Sequence, residues 1–254
     1  MRIEASGLTK AFAGRKVVDG LSFTVEPGRV TGFAGPNGAG KSTTLQLMVG
    51  LVRGGGRTLF DGRPYQELAC PMREVGTVLD ARTFHPRRGA RDHLRMLAAA
   101  GRAPGGTRGR ASDRRVEQVL DLVGLGPVAG RPAGGFSLGM AQRLSLAAAL
   151  LGGPRALLLD EPANGLDPHG VAWLRALLRA FAAGGGAVLV SSHLLGELQL
   201  LADHVVVIGR GRLLADGPLE ALIGPGGHGR ADALEAAFLR LTSGHVEYAA
   251  GDGP

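Results

Sequence analysis

Short apolar runs recur along the chain and are separated by longer stretches with helical periodicity. The runs cover residues 30–34, 156–159, 187–191 and 204–208. Buried strands of a parallel sheet have this near-continuous apolar character, and the helices between them cover the two faces of the sheet. The pattern therefore predicts an α/β fold with a largely parallel core sheet.

Two other stretches carry apolar residues at the i, i+3, i+4 spacing of one helix face. The first contains Val116, Val119, Leu120 and Val123, and the second contains Val171, Leu174, Leu177, Leu178 and Phe181. Both stretches are predicted to be amphipathic helices.

Between about residues 82 and 153 the strand-like runs stop and helical patterns dominate. A stretch rich in glycine and arginine, residues 101–111, interrupts these patterns, and such stretches are typical of loops. We predict an inserted helical lobe over residues 82–153.

The predicted domain organisation is one main domain, residues 1–225, and a C-terminal extension, residues 226–254. A chain of 254 residues with 44% hydrophobic content can bury the core of one ordinary domain and a small lobe. Residues 224–229 are typical of a flexible connector. A short helix follows, with Leu234, Phe238 and Leu241 on one face, and the residues after 244 are expected to be disordered.

The net charge of +7 and the pI near 10.6 raise the question of an anionic partner. Only three of the 29 basic residues are lysines, and the chain contains 43 glycines. Because an excess of arginine and glycine is typical of a GC-rich coding bias, we do not expect a nucleic-acid partner. The arginines that cluster between residues 87 and 115 are interpreted as a solvated helical face.

Cysteine content and the start of the chain indicate a cytoplasmic protein. Cys70 is the one cysteine, so no internal disulfide forms, and residues 1–4 do not begin the apolar stretch of a secretory signal. No window approaches the roughly 18 apolar residues of a membrane span. Any contact with a membrane is therefore expected to be peripheral.

Eight consecutive residues fit the P-loop pattern, in which a glycine-rich loop between a strand and a helix holds phosphates. They are Gly35, Pro36, Asn37, Gly38, Ala39, Gly40, Lys41 and Ser42, and Thr43 follows them. Backbone N–H groups and the helix N-terminus attract phosphate, Lys41 reaches the β- and γ-phosphates, and Ser42 can bind Mg²⁺. The motif predicts an ATP site that includes all nine residues.

Two carboxylates, Asp160 and Glu161, follow the apolar run 157–159. Acids at the end of such a strand are costly unless a cation or a ligand binds them. Asp160 is predicted to bind Mg²⁺, and Glu161 to polarise the water that attacks the γ-phosphate. A helix cap or a solvated acid is the alternative, but the P-loop upstream favours the functional interpretation.

These motifs, in this order, resemble the ATP-binding subunits of ABC transporters, and the resemblance spans about residues 3–242. It implies a P-loop NTPase fold with an N-terminal antiparallel β subdomain beside the core sheet and the helical lobe. Phe12 resembles the family's aromatic residue that stacks on adenine, with a place in the core as the alternative. His193 resembles the switch histidine that contacts the γ-phosphate.

Two further motifs resemble regions through which a second subunit completes the ATP site. Residues 136–140, Phe-Ser-Leu-Gly-Met, resemble the family signature, which implies that Ser137 and Gly139 contact the γ-phosphate held by the other subunit. Residues 164–167 resemble the loop across which subunits communicate, and they add Asp167 to the expected nucleotide-binding residues. A dimer, homomeric or heteromeric, is therefore implied.

The sequence departs from the family pattern at two places. Asp80 stands where a glutamine is usual; its carboxylate could reach Mg²⁺ through a water, but it adds negative charge near the phosphates. The signature carries Leu138 and Met140 in place of glycine and glutamine. Together with Phe84, His85 and the C-terminal helix, these departures resemble the bacitracin- and daunorubicin-resistance exporters, whose membrane partners are ABC-2-type permeases.

The resemblance implies an ATPase at the inner face of the cell membrane, with Lys41, Glu161 and His193 as catalytic residues and ATP and Mg²⁺ as cofactors. Two alternatives stay open. One is a soluble ABC ATPase that acts on nucleic acid or in cofactor assembly, and the other is a regulatory module that binds ATP but hydrolyses little. The transported substance is not readable from this chain, because the permease contacts it.

Overall fold

The computed structural model describes residues 1–81, 84–101, 110–224 and 230–243, except for the side chains of residues 110 and 111. Within these residues the strands form two sheets. The N-terminal sheet is antiparallel, in the order β2-β1-β4, with β1 (Ile3–Phe12), β2 (Arg15–Val25) and β4 (Gly55–Phe60). The core sheet has the order β5-β6-β7-β3-β8-β9, with β3 (Arg29–Ala34), β5 (Val75–Val78), β6 (Ala156–Asp160), β7 (Ala187–Ser191), β8 (His204–Gly209) and β9 (Arg212–Pro218).

The core sheet is parallel except for β9, which pairs antiparallel with β8. Side chains of successive strand residues point to opposite faces, and both faces are buried. Leu157 and Leu159 pack with the helices on one side, whereas Leu158 packs with the N-terminal sheet on the other. This two-sided burial explains the uninterrupted apolar runs, and the predicted fold class is confirmed.

The helices, in chain order, are α1 (Lys41–Met48), α2 (Pro71–Glu74), α3 (Ala90–Ala100), α4 (Arg110–Leu122), α5 (Leu138–Leu151), α6 (Pro168–Ala183), α7 (Leu195–Leu201), α8 (Leu219–Ile223) and α9 (Ala233–Thr242). Helices α3, α4 and α5 lie between β5 and β6, in the part of the chain predicted to be a helical lobe. The apolar face of α4 is fully buried at Val116, Val119 and Leu120. The central part of the predicted glycine- and arginine-rich interruption, residues 102–109, lies outside the described residues.

Helix α9 packs on α7, and the predicted apolar face makes the contact with the core. Leu234 is buried, while Phe238 and Leu241 are partly buried against the core. The backbone N–H of Leu234 donates to Oε1 of Gln199 on α7 at 2.8 Å. Most of the predicted connector and tail, residues 225–229 and 244–254, lies outside the described residues, and the domain boundary after residue 225 stays a prediction. Of the described helices, none combines the length and the apolar character needed to cross a bilayer.

Candidate nucleotide-binding site

The order of the core strands brings three chain segments to one edge of the sheet. β7 lies between β3 and β6, and all three run parallel. Because parallel strands end at the same edge, the P-loop after β3, the acids at the end of β6 and the residues after β7 meet there. In this register Ser191 pairs with both Phe33 and Asp160.

The P-loop adopts a backbone conformation that only glycine adopts without strain. Gly38 and Gly40 have φ of 78° and 100°. A Cβ atom at Gly40 would also lie 2.5 Å from the carbonyl oxygen of Val17. The glycines therefore allow the loop to turn tightly against β2 before α1 begins at Lys41.

Lys41 is buried inside the loop, with 8% of its surface exposed. Its Nζ donates to the carbonyl oxygens of Gly35 at 2.7 Å and Pro36 at 3.3 Å. Burial lowers the pKa of Lys41 below its ordinary value, while the nearby carboxylates of Glu161 and Asp160 act in the opposite direction. A desolvated ammonium attracts an anion more strongly than one in water, so this group suits phosphate binding.

A cavity of about 410 Å³ opens over the P-loop. It is lined by Val17, Pro36, Asn37, Gly38, Ala39, Gly40, Lys41, Ser42, Thr43, Glu161, Asn164 and His193. A smaller cavity adjoins it and adds Arg15, Lys16 and Arg210 to the lining. The structure thus brings most of the predicted P-loop residues together with Glu161 and His193, and it adds Val17 and Asn164, which were not among the predicted site residues.

Glu161 and His193 are in direct contact within this cavity. Nδ1 of His193 lies 2.7 Å from Oε2 of Glu161, and the backbone N–H of His193 donates to the same oxygen at 3.3 Å. When the carboxylate is ionised, Nδ1 is the donor. Glu161 has a φ of 48°, in the left-handed region that is uncommon for a residue with a side chain. Its carboxylate is therefore held by two contacts with His193.

Ser191, the last residue of β7, connects the two acids. Its Oγ donates to Oδ1 of Asp160 at 2.5 Å and accepts from the backbone N–H of Glu161 at 3.0 Å. Ser191 is fully buried. The sequence interpretation did not single it out, although a serine that ends an otherwise apolar run was the available signal. It fixes the Asp160 carboxylate beside the P-loop.

Phe12 and Asp80 are not among the residues that line the cavity. The Phe12 side chain is 49% exposed at the end of β1, and the ammonium of Lys10 lies 4.7 Å from its ring centroid. Asp80 is exposed beyond the end of β5, the neighbour of β6. The predicted contacts of both residues with nucleotide stay predictions.

Ser137, Gly139 and Asp167 lie outside the cavity as well. Oγ of Ser137 accepts from the Met140 N–H at 3.2 Å and caps α5, and Oδ1 of Asp167 accepts from the Gly170 N–H at 2.7 Å and caps α6. A Cβ atom at Gly139 would lie 2.7 Å from a backbone oxygen of the 164–167 loop. The predicted signature therefore packs against Gly165 of this loop, whose first residue, Asn164, lines the cavity.

The sequence matches a family model described as "ABC transporter" over residues 18–164, more than half of the chain. The chain belongs to the ABC transporter family. Bacitracin transport ATP-binding protein BcrA of Bacillus licheniformis is 36% identical to this ABC protein over 223 residues, which cover 87% of this chain and 71% of BcrA. Lantibiotic transport ATP-binding protein SrtF of Streptococcus pyogenes is 33% identical over 215 residues, which cover 84% of this chain and 90% of SrtF.

The fold of the ABC protein also matches solved structures. A structure described as the ATP-binding subunit of an ABC transporter superposes with a TM-score of 0.82 at 26% identity, covering 95% of this chain and all of that one. The predicted family, including its resemblance to the bacitracin group, is confirmed. As an ATP-binding subunit of this family, the ABC protein binds and hydrolyses ATP.

Proposed function

We propose that this ABC protein is a cytoplasmic subunit, peripheral to the membrane, that powers an exporter through a separate ABC-2-type permease. Two relatives support the proposal, because their names assign them to bacitracin and lantibiotic transport. The observation that carries it is the single cavity shared by the P-loop, Glu161 and His193. One subunit thereby supplies a phosphate-binding loop, a base and a histidine that holds the base.

Each of these groups has a distinct role in hydrolysis. Lys41 pairs with the β- and γ-phosphates. Glu161 accepts a proton from water as the water oxygen attacks the γ-phosphorus, and the bond to the β-phosphate oxygen breaks with its electron pair left on ADP. His193 holds one oxygen of Glu161 through Nδ1, which leaves the other oxygen for the water.

The donors beside the phosphate position fit Mg²⁺. Ser42 offers a hydroxyl and Asp160 a carboxylate, both hard oxygen ligands, and Asp80 would join through a water. The described residues contain no cluster of three or more acidic, histidine or cysteine side chains suited to a metal. Mg²⁺ commonly takes several of its ligands from waters and substrate phosphates. When bound, Mg²⁺ neutralises charge on the β- and γ-phosphates.

A second copy of the chain completes each ATP site in this proposal. Ser137, Gly139 and Asp167 lie outside the cavity of their own chain, which supports a role toward a partner. Ser137 caps the N-terminus of α5, whose N–H groups and partial positive charge suit the γ-phosphate of ATP held by the other subunit. A symmetric dimer then closes over two ATP molecules, and a heterodimer with a second ABC subunit is the alternative.

The helical lobe is the proposed contact for the permease. Phe84 follows Asp80 by four positions, packs against the buried core and lies 6.1 Å from the ring of His93 on α3, measured between ring centroids. Few residues therefore separate Asp80, the proposed sensor of the γ-phosphate, from the helical lobe. This route is inferred from position, and a change in permease-stimulated turnover would be its evidence.

Glu161→Gln tests the proposed chemistry. The variant keeps the shape of the site but loses the base, so turnover falls by about 10²- to 10⁴-fold while ATP affinity is kept. Steady-state ATPase assays and calorimetry measure the two quantities. Glu67→Gln, at an exposed position outside the cavity, is the control and keeps full turnover. Near-normal turnover in Glu161→Gln would show that the base lies elsewhere.

Co-expression with the membrane protein encoded beside this gene tests the transporter proposal. We expect a complex that survives detergent extraction and whose ATPase activity differs from that of the isolated subunit. Salt-sensitive copurification with RNA or DNA, with no complex formed, would instead favour an ATPase that acts on nucleic acid.

A further inference from the structure

Helix α7, which begins two residues after His193, is held by two arginines of α6. A guanidinium nitrogen of Arg175 donates to Oε2 of Glu197, in the first turn of α7, at 2.6 Å. A guanidinium nitrogen of Arg179, one turn further along α6, donates to the carbonyl oxygen of Leu200 near the end of α7. Both ends of this short helix are therefore bound to α6 by charged donors.

Apolar packing between α6 and α7 is incomplete. A cavity of about 30 Å³, room for one water, lies between them and is bordered by Leu174, Leu198 and Arg175. Nε of Arg175 is buried without a hydrogen-bond partner. On its other side α7 is anchored by Leu198, which lies so close to β3 that a Cβ atom at Gly32 would be 2.8 Å from it. Leu201 is the other buried residue of α7, and Gln199 accepts from the Leu234 N–H of α9. The arginine contacts from α6 add to these anchors in fixing the rotation of the helix.

The position of α7 determines the position of His193, because only Leu194 separates them. The N–H of Leu194 donates to Oγ of Ser192 at 3.0 Å, so the connection is a tight turn and not a loose loop. Through this turn, a rotation of α7 changes the contact between His193 and Glu161, which is 2.7 Å long.

We propose that Arg175 is a positioning residue for ATP hydrolysis, which acts by pairing with Glu197 and so holding α7 where His193 contacts Glu161. The proposal rests on the roles given above to Glu161 and His193. Arg175 itself is not among the residues that line the nucleotide cavity. Loss of the ion pair therefore affects the rate of the chemical step and not the binding of ATP.

The first test compares two matched ion pairs. Arg175 and Glu197 are 2.6 Å apart with side chains 27% and 37% exposed, and Arg91 and Glu117 in the helical lobe are 2.6 Å apart with side chains 32% and 42% exposed. Arg175→Met lowers kcat about tenfold with little change in the KM for ATP, because a small displacement of a catalytic group is costly. Arg91→Met leaves kcat unchanged.

Both ion pairs are partly exposed, so the two variants are expected to unfold at similar temperatures. Equal kcat in the two methionine variants would overturn the proposal. If Arg175→Met fails to fold, the double variant Arg175→Glu with Glu197→Arg, which exchanges the two charges, tests the proposal instead. Recovery of kcat by the exchange, relative to Glu197→Arg alone, supports the positioning role, and no recovery contradicts it.

His193→Ala separates failure of this proposal from failure of the proposed chemistry. If His193→Ala retains full turnover, the role of His193 is wrong and the positioning of that residue has no consequence. If His193→Ala is inactive while Arg175→Met matches Arg91→Met, the role of His193 stands and the inference about Arg175 alone is overturned.

Discussion

At the scale of single residues, the site depends on side chains that are costly to bury. Lys41 loses its hydration inside the P-loop, which costs free energy. Hydrogen bonds to the carbonyl oxygens of Gly35 and Pro36 offset part of that cost. The lowered pKa of Lys41 reflects that cost. In the proposed function, phosphate oxygens of ATP would replace these carbonyl oxygens as partners of Lys41.

Lys41→Ala is expected to weaken ATP binding about 10- to 100-fold, the range for losing a hydrogen bond to a charged group. Isothermal titration calorimetry measures the affinity, and the unfolding temperature shows whether the loop stays intact. Loss of turnover with unchanged ATP affinity would contradict the phosphate-binding role.

Ser137 allows its capping role to be separated from its proposed role toward the partner's ATP. Asp and Asn both cap a helix about as well as Ser, so Ser137→Asp and Ser137→Asn are expected to keep the stability of α5. The aspartate places a negative charge against the γ-phosphate of the partner site, and turnover falls about 10- to 100-fold more than in the asparagine variant. Equal turnover in the two variants, measured alongside equal unfolding temperatures, would place Ser137 away from the phosphate.

The residues of the P-loop and the acids after β6 were predictable because their signals are local in sequence. Ser191 was not, since its contact with Asp160 joins residues 31 positions apart and depends on the register between β6 and β7. Spacing along a chain carries no information on such register. For the same reason Asn164 was recognised as part of a loop but not as a residue that lines the cavity.

At the scale of elements, the core strands were predictable from their continuous apolar runs, whereas the N-terminal sheet came only from the family resemblance. In β1 the register shifts between Ala5 and Leu8 and again between Leu8 and Lys10. Gly7, at a φ of 61°, lies in this irregular part. These bulges break the alternation of apolar and polar residues, so periodicity does not reveal the strand.

Asp80 connects the end of β5 to the helical lobe, and its replacement tests coupling between these elements. Asp80→Gln, which introduces the residue usual in the family, is expected to change the ratio of permease-stimulated to basal turnover. Asp80→Ala is expected to lose the stimulation without a large drop in the unfolding temperature. If both variants unfold the protein, or neither changes the ratio, the sensor role is wrong.

At the scale of the whole molecule, the fold separates two groups of predicted residues. The P-loop, Glu161 and His193 surround one cavity, while Ser137 and Gly139 are not among the residues that line it. A single chain therefore carries both halves of the proposed site, the P-loop half and the signature half, at two different places on its surface. Two copies that exchange these halves form two complete sites.

Mixing two impaired variants tests this arrangement. Lys41→Ala removes the phosphate-binding lysine and Ser137→Asp blocks the signature, so each variant alone has no complete site. Random pairing makes half of the dimers mixed, each with one complete site, and ATPase activity is expected to recover to about a quarter of that of the unmodified protein. A mixture no more active than the separate variants would contradict the account.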